Sequence, residues 1–221
     1  MNLPWSKPRV SVLCSTFRHG GLAEPIASIN RQTVKPHQII FVHDGLGRGE
    51  ACGSAVPLFP ASFIGVQQDP DIYGNAVPLN RGLDLVSGDM LLLLSDLCWV
   101  SSKWIEGHLD QHKKHDVALV SGGTCLHSES IVHTGWPLKC KCKKRWYPFR
   151  GEVSFVAKEV ASEIISVSLS IRTDLMRKIG GWDERFMGAH GFDDFLLGHR
   201  AMAHSGLNCM ATNDPRIVGH R

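Results

Sequence analysis

Two adjacent carboxylates, Asp193 and Asp194, stand at the start of a predicted helix, after a loop that carries Gly, Met and His. A carboxylate pair at a helix N-terminus suits acid–base chemistry, because helix-end amides are expected to keep both groups ionised and ready to accept a proton. Plain helix capping is the competing reading, since Asp is common at such ends. Three further polar clusters have the residue types for ligand binding: Ser15-Thr16-Phe17-Arg18, His43-Asp44-Gly45 and Ser95-Asp96.

The elements that must position these groups show in the hydrophobic pattern. Residues 9–15, 38–43, 62–66, 90–94 and 117–121 read as strands, apolar and too short for helices. Residues 22–32, 78–86 and 101–115 read as helices, the second with Pro near its first turn. This alternation predicts an α/β fold: a mostly parallel central sheet flanked by helices on both faces. Ligands of such sheets bind beyond the carboxyl ends of the strands, where all three polar clusters fall. Further on, Thr173 is the expected N-cap of a short helix, Asp174 lies in its first turn and Gly180 is its left-handed stop. The helix opening at Asp193-Asp194 is expected to bury Leu196, Leu197 and Met202 and to end at Gly206. Residues 69–75 and 124–152 read as irregular.

With 221 residues, 43% hydrophobic and 20% charged, the chain reads as a single domain, 1–221, with an ordinary core. No apolar run reaches membrane-spanning length, the longest clear one being residues 90–94. The opening MNLPWSKPRV carries no hydrophobic signal region, so a cytoplasmic location is expected. Seven cysteines, several in apolar segments (Cys14, Cys98), argue for reduced, buried thiols and not for a disulfide frame. A net charge of only +3 excludes a surface that binds polyanions everywhere.

The motifs resemble those of the GT-A glycosyltransferases. The run Gly180-Gly181-Trp182-Asp183-Glu184-Arg185-Phe186, then His190-Gly191-Phe192-Asp193-Asp194, then Arg200, is similar to the acceptor-side motif of the family 2 enzymes, with echoes of galactosyl- and polypeptide GalNAc-transferases. That resemblance implies an inverting transfer with Asp194 as catalytic base, and with Asp193 and Trp182 holding the acceptor. Val10 through Arg18 resembles the family's first strand, and Ile39 through Gly45 its second. In the family these ends hold the base and ribose, which implies nucleotide-binding roles for Thr16, Phe17, Arg18 and Asp44. An aromatic edge packs on a pyrimidine and a carboxylate accepts a ring N–H; the plainer readings are a core Phe17 and a strand-end turn at Asp44-Gly45. Residues 74–82 resemble the family's next helix start, with Leu79 where the family has Arg and Arg81 as the candidate phosphate contact. The resemblance divides the domain into a nucleotide-sugar half, 1–100, and an acceptor half, 101–221.

Residues 88–97 resemble the family's acidic run, which binds a divalent metal on the donor diphosphate. Here Asp96 alone remains; Ser95 and Leu97 replace its neighbours, and leucine cannot ligate a metal. The ending 214–221 resembles a segment whose last His is a metal ligand in polypeptide GalNAc-transferases. Asp96 and His220 are thus the expected pair around Mn²⁺ or Mg²⁺.

Between the two halves, residues 139–150 hold six Lys or Arg and three aromatics. A solvated loop is the plain reading. A sharper one is a contact for phosphates, with Trp146 and Tyr147 stacking on a base or sugar. A third is zinc held by Cys125, His127, Cys140 and Cys142, although Cys-x-Cys is tighter than usual structural sites. The resemblance thus implies an inverting hexosyltransferase that uses a UDP-sugar and a glycan or lipid-linked acceptor. A hydroxymethylated DNA base is the alternative acceptor, and an inactive nucleotide- or sugar-binding module the alternative from another class.

Overall fold

The central β-strand, β1 (Val10–Thr16), alternates its side chains between two helical layers. Val10, Val12 and Cys14 pack with Leu22, Ile26 and Ile29, while Leu13 packs with Leu79, Leu83 and Trp182 on the other side. β4 (Met90–Leu94) does the same and is buried at all five positions, which is why it reads as an unbroken apolar run. The computed structural model describes residues 7–68, 74–125, 146–147, 154–157, 164–188 and 192–220.

Within these residues the main sheet has the strand order β3-β2-β1-β4-β9-β5-β10-β8. The remaining members are β2 (Gln38–Asp44), β3 (Ala61–Val66), β5 (Leu119–Gly122), β8 (Ser154–Ala157), β9 (Ser168–Arg172) and β10 (Cys209–Thr212). β3, β2, β1 and β4 are mutually parallel, as are β5 and β10; β9 runs antiparallel between β4 and β5, and β8 lies antiparallel at the edge. The chain moves outward from β1 through β2 to β3, then returns to β4 on the other side of β1. This reversal opens a crevice at the carboxyl ends of β1 and β4, the usual ligand position in open α/β sheets. A second sheet, β11-β6-β7, joins β6 (Thr124–Cys125), β7 (Trp146–Tyr147) and β11 (Gly219–His220).

α1 (Ala23–Asn30) and α4 (Trp104–Lys114) cover one face, with the short α2 (Arg48–Cys52) beside α1. α3 (Ala76–Leu83), α5 (Thr173–Lys178) and α6 (Phe192–Ser205) cover the other. Pro78 sits in the first turn of α3, where its missing N–H costs nothing. The sequence reading needs several corrections. α2, β9 and the small sheet were not expected, and β6 and β7 lie in the stretch read as irregular. Thr173 does not cap α5: the extended Arg172 is the cap, Thr173 is already helical, and its hydroxyl has no partner among the described residues. Gly180 and Gly206 do adopt the left-handed conformation that stops each helix, at φ of 79° and 73°.

A polar seam runs between α4 and β9. Trp104 Nε1 donates to Ser168 Oγ at 2.8 Å, the His108 ring lies between Ser168 (3.1 Å) and Ser170 (2.8 Å), and His112 Nε2 is 3.0 Å from Ser170. Burial drives both imidazoles toward their neutral forms, His108 down to about 3 and His112 down to about 4. Cys14, Cys52, Cys98 and Cys209 are buried thiols, and burial pushes Cys209 up to about 12. Among the described residues no helix is long and apolar enough to cross a membrane.

Candidate active site

Asp96, Asp193 and Asp194 line one cavity of about 320 Å³ at the crevice between β1 and β4. Leu79, Leu93 and Met187 supply apolar wall, and Ser15, Ser95 and Ser166 supply hydroxyls. The three carboxylates arrive from sequence positions almost a hundred residues apart. β4 delivers Asp96 and the first turn of α6 delivers the pair.

Around Asp96 the ends of β1 and β4 are tied together. Thr16, buried at the last position of β1, donates its hydroxyl to Asp96 Oδ2 at 2.8 Å and accepts the Arg18 backbone N–H at 3.0 Å. Arg18 Nη1 donates to the same Oδ2 at 2.5 Å, and its guanidinium lies 4.1 Å over the Phe17 ring. Phe17 is 38% exposed, which sets aside the reading of a core phenylalanine. Asp44 lies one strand further out. Gln68 reaches both of its oxygens, with its backbone N–H 3.0 Å from Oδ1 and its side-chain amide on Oδ2. Sequence reasoning missed Gln68, which follows β3 without any motif to mark it.

Asp194 is held differently. The Ser166 backbone N–H donates to Oδ2 at 2.9 Å and the Ser166 hydroxyl donates to Oδ1. Ser121 holds that loop in turn, donating to the Ile165 carbonyl at 3.0 Å and accepting the Ile165 N–H at 3.2 Å. Burial pushes Asp194 up to about 6, the neighbouring Asp193 adds to the rise, and Ser166 opposes it. Burial also raises Asp193. This corrects the expectation that helix-end amides keep the pair fully ionised: desolvation outweighs them. A carboxylate that titrates near 6 is well matched to general-base work close to neutral pH. Ser166 was also missed by sequence reasoning; it belongs to no motif and meets Asp194 only through the fold.

Of the expected site residues only Asp96, Asp193 and Asp194 line this cavity; Thr16 and Arg18 meet it through Asp96, Phe17 and Asp44 stand at the neighbouring strand ends, and Trp182, Arg81 and His220 lie elsewhere. Trp182 is buried in the core with Leu83, Met176 and Leu197, and its indole N–H has no partner among the described residues. Its backbone is clipped to α3 by Asn80, which accepts the Trp182 N–H at 2.9 Å and donates to its carbonyl at 2.8 Å. The fit needs glycine before it: a Cβ on Gly181, whose φ is +72°, would lie 2.4 Å from Asn80 Oδ1. Arg81 points to a separate cleft shared with Arg177 and Glu184. His220 is bridged by both backbone groups to Trp99 and its ring stacks on the Trp99 indole, with centroids 3.9 Å apart. Lys139, Lys141, Lys143, Lys144, Arg145, His127, Cys140 and Cys142 lie outside the described residues, so the basic run and the zinc set have no structural account here.

Asp96 offers a divalent cation a single carboxylate, so most of its oxygen ligands would have to come from the donor phosphates. Mg²⁺ and Mn²⁺ take several hard oxygen ligands, yet Asp96 is flanked by Ser95 and Leu97, and its Oδ2 already receives a hydroxyl and a guanidinium. Among the described residues no three His, Cys, Asp or Glu side chains come together as a ligand set.

No protein-family model matches the sequence. A curated relative, the uncharacterized glycosyltransferase YwdF of Bacillus subtilis (strain 168), is 30% identical over 125 residues, covering 56% of this chain and 42% of that protein. The chain therefore matches under half the length of that relative. Among solved structures, the mannosyltransferase PcManGT of Pyrobaculum calidifontis, in complex with GDP-Man and Mn²⁺, has a TM-score of 0.64 at 16% identity, covering 97% of this chain and 57% of that one. S. aureus TarS 1–349 has a TM-score of 0.65 at 13% identity, covering 96% and 60%, and its complex with UDP-GlcNAc a TM-score of 0.63 at 12% identity, covering 96% and 58%. The fold is that of the GT-A-type glycosyltransferases.

Proposed function

We propose that this protein is an inverting glycosyltransferase that moves a sugar from a nucleoside-diphosphate donor, foremost a UDP-sugar, to an acceptor hydroxyl. One observation carries the reading: Asp96 at the nucleotide-side strand ends and the Asp193-Asp194 pair line a single cavity. A sugar bound between them has a diphosphate side and an acceptor side. The raised Asp194 takes the proton of the acceptor hydroxyl as that oxygen attacks the anomeric carbon. The bond from that carbon to the diphosphate oxygen breaks, and the diphosphate leaves with the electron pair. Asp193 accepts a second hydroxyl of the acceptor. Phe17 and Asp44 are the groups for base and ribose, with Gln68 fixing the Asp44 carboxylate. Arg81 and Trp182 are assigned no contact, since Arg81 lines a separate cleft and Trp182 is buried in the core.

A glycan or lipid-linked sugar is the acceptor this reading favours. The DNA alternative rested on the basic run at 139–150, which lies outside the described side chains. The fold relatives were solved with both GDP-Man and UDP-GlcNAc, so a donor screen must include both nucleotides. The test is release of UDP or GDP from a panel of nucleotide sugars, with and without simple glycoside acceptors. At least one donor is expected to turn over with inversion at the anomeric centre. Retained configuration, or no release from any donor, counts against the reading.

A further inference from the structure

We infer that Arg18 takes the place of a divalent metal at the donor diphosphate. This rests on the transferase reading. The Arg18–Asp96 pair occupies the position where the resemblance puts a metal-binding carboxylate. Its two members are unequally exposed: the Asp96 side chain is 7% accessible and that of Arg18 is 31%. The carboxylate is sealed beneath the guanidinium, and the guanidinium faces outward.

The guanidinium is anchored through one nitrogen. Nη1 is spent on Asp96, and the group lies over the ring of Phe17, 4.1 Å from its centroid. Nε and Nη2 have no hydrogen bond among the described residues. A planar fork with two donors to spare matches two phosphate oxygens. Asp96 is then a positioning residue. With Thr16 it fixes the arginine before the donor arrives, so little freedom is lost when the diphosphate binds. A cation bound at Asp96 would have to displace this guanidinium or sit beside it as a like charge. The Leu97 side chain has no ligating atom to help hold one there.

The test is calorimetric titration of UDP and GDP, and of uridine and guanosine as phosphate-free controls, in excess EDTA and again in Mn²⁺. In the wild-type protein at least one diphosphate is expected to bind with affinities that agree within about twofold in the two conditions. Arg18→Ala is expected to weaken that binding roughly 10- to 100-fold, the range for a hydrogen bond to a charged group, without changing the affinity of the matching nucleoside. Should the alanine variant not fold, Arg18→Gln keeps a donor for Asp96 while removing the charge, and the EDTA comparison needs no variant. Binding that EDTA abolishes and Mn²⁺ restores, or wild-type affinity in a folded Arg18 variant, overturns the role of the arginine and leaves the transferase reading standing. Failure of both diphosphates to bind in either condition overturns the transferase reading, and the arginine with it.

Discussion

Asp96 and Asp194 line the same cavity, yet their carboxylates are given different company. Asp96 has a guanidinium and a hydroxyl on one oxygen. Asp194 has a serine hydroxyl and one amide N–H, with another carboxylate as its neighbour. In the first case a guanidinium matches the charge, and the two groups form a fixed ion pair. In the second no cation among the described residues offsets desolvation, so the group is driven up to about 6 and can both take and release a proton. Identical residues in one pocket are thereby suited to opposite purposes, and the partners decide which.

The largest expected effect breaks the comparison on the proton-accepting side. Asp194→Asn keeps the size and an oxygen for Ser166 but cannot act as a base. Turnover should fall by at least about a hundredfold while UDP or GDP binds within about twofold of wild type. Near-normal turnover in that variant would return Asp193 and Asp194 to helix capping.

Much of the framework was legible before any coordinates. β1, β2 and β4 were readable because strands buried on both faces leave long apolar runs, and the polar residues that end them fall at the crevice. The Asp193-Asp194 pair was readable as carboxylates at a helix start, and the fold sets it on the cavity that Asp96 also lines. What was not legible depends on packing across the sheet. β9 carries Ser168 and Ser170 alternating with Leu169 and Ile171, the pattern of a strand with a wet face, yet those serines point to buried His108, His112 and Trp104. Trp182 was given to the acceptor on its motif, while packing put its ring in the core. Ser166 and Gln68 carried no signal, because a single hydroxyl or amide acquires its meaning only from the carboxylate it meets.

The histidine seam extends the comparison to acid stability. His108 and His112, like Asp194, are buried against serine hydroxyls, but the sign is reversed. Their folded values, about 3 and about 4, lie below the ordinary 6.5, so the folded state holds them neutral. As pH falls through 6.5 the unfolded chain takes up protons that the folded chain refuses. Their stabilisation is complete above that pH and is lost toward pH 4, at about 1.4 kcal/mol per pH unit for each. Asp193 and Asp194, raised in the fold, act oppositely over the lower part of that window. The melting temperature should therefore fall between pH 6.5 and 4.5, and fall more steeply in Asp194→Asn, which lacks that offset. His112→Gln should flatten the slope. A wild-type melting temperature constant across this range would show that the seam is not holding its histidines neutral.

The smallest effect sharpens the comparison most, because it changes one partner of Asp194 and leaves the carboxylate in place. In Ser166→Ala the backbone N–H still donates to Oδ2, but Oδ1 loses its hydroxyl. The two causes that raise Asp194, burial and Asp193, remain, and one of the two opposing them is gone. The group should rise further, by roughly one unit if the lost hydrogen bond to a charged group has its usual strength of about 1.5 kcal/mol. A base must be ionised to act, so the acid limb of the kcat/KM profile should move from near 6 toward 7. At pH 7 that is about a twofold loss, since the ionised fraction drops from about nine-tenths to about half. At pH 8.5 the variant should recover nearly wild-type rates. This pH dependence separates two roles for Ser166. A serine that only braced the loop would, when removed, lower activity by the same factor at every pH. A serine that tunes the base moves the limb and spares the plateau. A uniform loss would leave the partner-based distinction between the two aspartates resting on Arg18 alone.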